Sequence, residues 1–144
     1  MLNTGKLLLT ISAISWGLAP IGADWGPSHV FHVDWPPHAR LHAVWLLTTG
    51  ATLAVLSIGL VWLPSREKRA NLRVAGIIGL LMLIGFFAAL ALAGTYGGSI
   101  SDPDHEALVF GINRNLVILT VTLVIQAIGT FLVVRADLPR KEIT

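Results

Sequence analysis

The chain contains no cysteine. That excludes disulfide frameworks, thiolate metal sites and thiol nucleophiles. It has little charge of either sign, with 12% of its 144 residues being Asp, Glu, Lys or Arg. A soluble domain is roughly a quarter charged, and a small one has a large surface to cover relative to its volume. The chain is therefore not read as a soluble monomer. With an apolar fraction of 54%, it is also too hydrophobic to be disordered. The net charge of +2 is no nucleic-acid signature, and no nucleic-acid partner is expected.

What the chain does have is long apolar runs. A spanning helix needs about 20 mostly apolar residues with few or no charges. Four segments fit, at residues 7–23, 43–63, 74–96 and 116–134, and none contains a charged residue. Backbone polar groups in lipid must pair within their own segment, so these are helices. The first resembles a signal peptide in outline, with Lys6, an apolar run, and Gly22 and Ala23; it is read here as a retained helix. The predicted fold is all-α: a single four-span integral membrane bundle over residues 1–144.

The loops predict an orientation. Lys6, Arg66, Lys68, Arg69, Arg73, Arg135, Arg140 and Lys141 fall on one side; Arg40 and Arg114 fall on the other. Basic loops stay in the cytoplasm, so both termini and the middle loop are expected there. The expected location is a bacterial inner membrane. Asp24, Asp34, Asp102, Asp104 and Glu106 then lie outside, with all five histidines. Trp25, Trp45, Trp62 and Tyr96 sit near the expected interfaces, as an aromatic belt would. Gly76, Gly79 and Gly85 are read as sites of close helix approach, and Gln126 as an interhelical hydrogen bond. No Asp, Glu, Lys or Arg lies at depth, which argues against an ion pump or proton-coupled transporter. Histidine in only one span argues against a transmembrane dihaem protein.

Polar chemistry concentrates in residues 24–42, DWGPSHVFHVDWPPHARLH. A flexible linker would be richer in Ser, Lys and Glu and poorer in Trp. An ordered outer cap is expected, joined to the second outer loop at 97–115. Pro36 and Pro37 suit the first turn of a helix, and Asp34 just upstream suits a helix start. His38 and His42 then share one helix face.

Three readings follow. The first is a metal site of His29, His38 and His42, helped by His32, Asp34 or His105, with zinc, copper or iron as the divalent transition metal. The second is a metal-free His–Asp acid–base pocket acting on a lipid-like substrate. In the third, His and Trp are interfacial residues that hydrogen-bond the loop. Trp35, Arg40, Asp24 and Arg114 are candidate contacts to a substrate or partner. The second outer loop, with Asp102, Asp104, His105 and Glu106, offers oxygen ligands but no EF-hand spacing. The leading expectation is metal binding on the outer face, with chemistry on an apolar substrate entering from the lipid. The alternative is a non-catalytic subunit of a larger membrane complex or homo-oligomer, docking through the His/Trp loop.

The stretch Trp35-Pro-Pro-His-Ala-Arg-Leu-His42, with Asp24-Trp25 and His29-Val30 before it, resembles a segment of small four-helix membrane proteins of unknown function. The similar pattern is Trp-Pro-Pro-His-Ala-(Lys/Arg)-x-His. The resemblance implies a four-helix fold, directs interest to His29, Trp35, His38, Arg40 and His42, and implies no activity. In outline the chain is also similar to DoxX-like and sterol-isomerase-like membrane proteins.

Overall fold

A computed structural model describes residues 1–101 and 106–136. The first long helix, Leu2–Asp24, consists of α1 (Leu2–Ala13), a widened π-helical turn at Ile14–Leu18, and α2 (Ala19–Asp24). Pro20 explains the turn. It has no N–H to offer the Trp16 carbonyl one turn back, and its ring crowds that carbonyl. A π turn just before it relieves the conflict. The turn also buries Trp16 and Gly17 in the bundle.

Three more long helices follow: α3 (Pro37–Trp62), α4 (Lys68–Ala91) and, after the short α5 (Ala93–Tyr96), α6 (Arg114–Arg135). Between α5 and α6, β1 (Leu108–Val109) and β2 (Ile112–Asn113) pair as a small antiparallel hairpin. Its turn residues Phe110 and Gly111 both have positive φ, as a tight two-residue hairpin requires. Apart from this hairpin the described residues are all-α. The first helix, α3, α4 and α6 are each long and apolar enough to cross a membrane.

The predicted spans match these helices at their centres and differ at their ends. α3 begins six residues before the apolar run, so His38 and His42 are helical. α4 begins at Lys68 and stops at Ala91, where Leu92 separates it from α5. Hydropathy reads apolar side chains, whereas helices continue through polar residues at their ends. Pro36 is the N-cap of α3 and Pro37 opens its first turn, as expected, with Asp34 two residues upstream of the cap.

α1 packs against α6 and α3, and α4 packs against the same two helices from the opposite side. Leu9, Val61, Leu72, Ala75 and Val133 form a core cluster near the basic end; Ala13, Trp16, Ala54 and Leu83 form a second. Buried polar groups cross the bundle: Ser15 Oγ and Thr122 Oγ1 share a hydrogen bond of 2.7 Å, and Gln126, 1% exposed, donates to the Gly76 carbonyl at 3.0 Å. The expected interhelical role of Gln126 is thus met by α4. Gly76 and Gly79 do face close neighbours, Thr130 and Gln126. Gly85 does not: a Cβ there would meet nothing within 4 Å, so its role in close approach is corrected.

Candidate functional site

The loop after α2 is folded by local bonds. The N–H groups of His29 and Phe31 donate to the Gly26 carbonyl, and that of Val30 to the Asp24 carbonyl. Val30 is buried and pins the turn. Arg40, one turn into α3, reaches back and donates from Nη2 to the His32 carbonyl at 2.8 Å. That contact ties the loop to the helix. Among the described residues, the hydrogen bonds of this loop and of residues 97–113 stay within each loop or reach the adjoining helix. Asn113 instead organises the second loop, donating to the Ile100 carbonyl and accepting from the Asn115 N–H.

This folding opens a pocket of about 650 Å³ between the end of α2, the loop and the first turns of α3. Asp24, His29, Trp35, His38 and His42 line it, with Pro36, Ala39, Ala43, Leu46 and Leu47. The wall is mostly apolar and the polar groups are few, the usual make-up of a small-molecule site. His38 and His42 stand on successive turns with Nε2 atoms 3.0 Å apart. One ring donates and the other accepts, so at least one imidazole presents a nitrogen lone pair. The His42 ring also lies against Trp45, with centroids 5.9 Å apart. Across the pocket, His29 Nδ1 is 3.0 Å from Ser28 Oγ and 3.9 Å from an Asp24 carboxylate oxygen. Trp35 packs edge-on against His29, with centroids 5.9 Å apart.

Five of the sequence-predicted residues therefore share one pocket. The others do not. His32 accepts the Asp34 backbone N–H at Nδ1 and lies tilted against Trp35, closing a local turn outside the pocket lining. Arg40 serves as the loop tie. Arg114 begins α6 on a different element and is exposed. His105, Asp102 and Asp104 lie outside the described residues. Among the described residues no three His, Asp or Glu side chains are grouped closely enough to hold one metal ion. The expected set of His29, His38 and His42 with His32 or Asp34 is not assembled; only the His38–His42 pair has converging ring nitrogens.

The apolar wall was not anticipated. Its signal is in the sequence: Ala39 and Ala43 stand beside His38 and His42 at the same spacing, and small residues there leave room along the helix face.

No curated protein and no solved structure matches the chain. A family model does, over residues 8–134. The match spans all four long helices and the whole histidine loop, and the chain belongs to the family of unknown function DUF6640.

Proposed function

We propose that the pocket is the working site, that it faces the outside of the membrane, and that His38 and His42 form a two-imidazole chelate for a divalent transition metal. The observation that carries this reading is the 3.0 Å separation of the two Nε2 atoms. Imidazole nitrogens bound at 2.0–2.1 Å to one tetrahedral ion lie about 3.3 Å apart. The pair needs to open by a few tenths of an ångström, and the donating ring must carry its proton on Nδ1 instead, so that both Nε2 lone pairs turn from each other to the ion. Imidazole ligands suit zinc, copper and iron without any thiolate. Two protein ligands leave coordination positions open, which is what a reactive or substrate-binding metal needs.

The shape of the pocket suggests what would approach the ion. His38 and His42 stand at its polar end, and Ala43, Leu46 and Leu47 continue along α3 into the apolar segment. From His38 to Leu47 the helix rises about 13 Å at 1.5 Å per residue. An amphiphile with its polar group at the histidines and its apolar part along this wall fits, entering sideways past the exposed Leu46. The orientation rests on the sorting of charge, which places the basic loops in the cytoplasm of a plasma membrane, in a bacterium the inner membrane.

The test is metal content. Intact purified protein, loaded with zinc or copper and dialysed, should retain about one ion per chain. A His38→Ala/His42→Ala double variant should retain none. Equal content in both overturns the reading.

Two other readings keep a specific observation each. Asp24 beside His29 is the geometry of an acid orienting an imidazole, as metal-free acid–base chemistry requires. Val33, 85% exposed, and Phe31 present apolar surface on the same loop, as docking to a partner subunit requires. Co-purification in mild detergent separates the docking reading, since a homogeneous particle of this chain alone counts against it.

A further inference from the structure

At the opposite end of the bundle, two lysines from different helices gather around the end of α3. Lys6 of α1 lies with its ammonium 5.5 Å from the centre of the Trp62 ring. That ring is pinned: Trp62 Nε1 donates to Thr10 Oγ1 at 2.8 Å, and Thr10 Oγ1 donates to the Lys6 carbonyl at 2.9 Å. Lys68 of α4 donates from Nζ to the Leu60 and Leu63 carbonyls at 3.1 and 2.9 Å. Both ammonium groups therefore meet the last turn of α3, Lys6 at the Trp62 ring and Lys68 at the Leu60 and Leu63 carbonyls.

This pair differs from the rest of the basic end. Lys6 and Lys68 are half-buried, whereas Arg66, Arg69, Arg73 and Arg135 are exposed. Among the described residues, the acid at this end is Glu67, and it forms no ion pair with either lysine; the one ion pair found is Asp24–His29, at the far end. An ammonium has three donors. Lys68 uses two of them on carbonyls, and Lys6 has no hydrogen-bond acceptor among the described residues. Two cations held at the same helix end with uncommitted donors, beside a fixed tryptophan, have the chemistry of an anion site at headgroup depth.

We propose that Lys6 and Lys68 bind the phosphate of an anionic lipid headgroup, with Trp62 holding Lys6 in place. The two lysines stand on α1 and α4, so a bound phosphate would add a polar tie to two helices already packed together through Leu9, Leu72 and Ala75. A zwitterionic headgroup offers the same phosphate but brings a choline cation that the two lysines repel, so it binds more weakly than a net-anionic one. A free phosphate ion shares the recognition chemistry, and the experiment separates the two sources.

Native mass spectrometry of the full chain in detergent, titrated with phosphatidylglycerol, phosphatidylcholine or inorganic phosphate, reads this directly. Phosphatidylglycerol should be retained and phosphatidylcholine lost. Lys6→Gln should weaken phosphatidylglycerol about fivefold, the effect of one interfacial lysine. Lys6→Arg should restore it, and Arg66→Gln should leave it unchanged. Thr10→Val frees the Trp62 ring without altering charge and should weaken binding about twofold, a loss of half a hydrogen bond's net worth or less; it keeps the test open where Lys6→Gln folds poorly. Unchanged retention in Lys6→Gln, or an equal loss in Arg66→Gln, overturns the site. Displacement of the lipid by millimolar inorganic phosphate overturns the lipid assignment.

Discussion

His38 and His42 stand one helical turn apart with their Nε2 atoms in hydrogen-bond contact, 3.0 Å from each other at the mouth of an apolar pocket. If they act as a chelate, their contributions cannot add. Removing either imidazole leaves a single ligand, which holds a metal weakly in water. His42→Ala alone should lower zinc or copper affinity nearly as far as the double variant, by about a hundredfold or more, the scale on which even an outer-shell partner matters. Isothermal titration of the two single variants and the double variant checks this. Two modest single losses that sum to the double would mean independent surface histidines.

Gly79 and Gln126 occupy the same space from opposite sides. A Cβ at position 79 would overlap the Gln126 amide, which is buried and bonded to the Gly76 carbonyl. Gly79→Ala should destabilise the bundle by about 1–3 kcal/mol, as overpacking does. Gln126→Ala loses an interhelical bond of about 0.6 kcal/mol together with packing. The double variant should then lie close to Gln126→Ala alone, because the clash is gone. Gly85→Ala is the control. It meets empty space, so it should be neutral or stabilise by up to about 1 kcal/mol through helix propensity. Unfolding in detergent mixtures measures all four proteins.

Much of this was legible in the sequence, and the residues show why. Charge-free runs locate helix centres, since lipid leaves the backbone no alternative. They do not locate helix ends: Pro37–His42 and Lys68–Arg73 are helical with polar side chains, and hydropathy sees none of that. The shared face of His38 and His42 follows from spacing alone. The approach of Asp24 and His29 does not, because it depends on the tight turn around Gly26 and on Val30 being buried. Counting five histidines on one side points to a fuller metal set than the fold groups among the described residues, because the spacing that pairs His38 with His42 does not extend to the loop histidines. The π turn does have a signal, Pro20 in the middle of an apolar run, but hydropathy scores a proline without registering the hydrogen bond it removes.

Arg40 ties the loop to α3 through the His32 carbonyl. Its loss should therefore act on the loop and not on the bundle. Arg40→Gln should speed proteolytic cleavage within residues 25–36 by about tenfold or more, because the loop loses a charge-assisted bond of about 1.5–3 kcal/mol. Thermal unfolding of the helices should shift by no more than a few degrees. It should also weaken any ligand that needs His29 and His38 at once. Cleavage at the wild-type rate would show that Val30 and the turn bonds hold the loop without the arginine.

The absence of cysteine makes the orientation directly measurable, since any introduced thiol is the sole one. Val33 is almost fully exposed on the histidine loop, and Ala70 is exposed in the first turn of α4 at the basic end. Neither substitution changes a charge, so neither alters the bias that sets topology. In intact cells a membrane-impermeant maleimide should modify Val33→Cys, and should reach Ala70→Cys only after the membrane is opened. The reverse pattern would put the His38–His42 pocket in the cytoplasm. It would also move the Lys6–Trp62–Lys68 cradle to the outer leaflet, where anionic lipid is scarce, so this measurement bears on both proposed sites. The two sites lie at opposite ends of the same four helices, and only one of them can face outward.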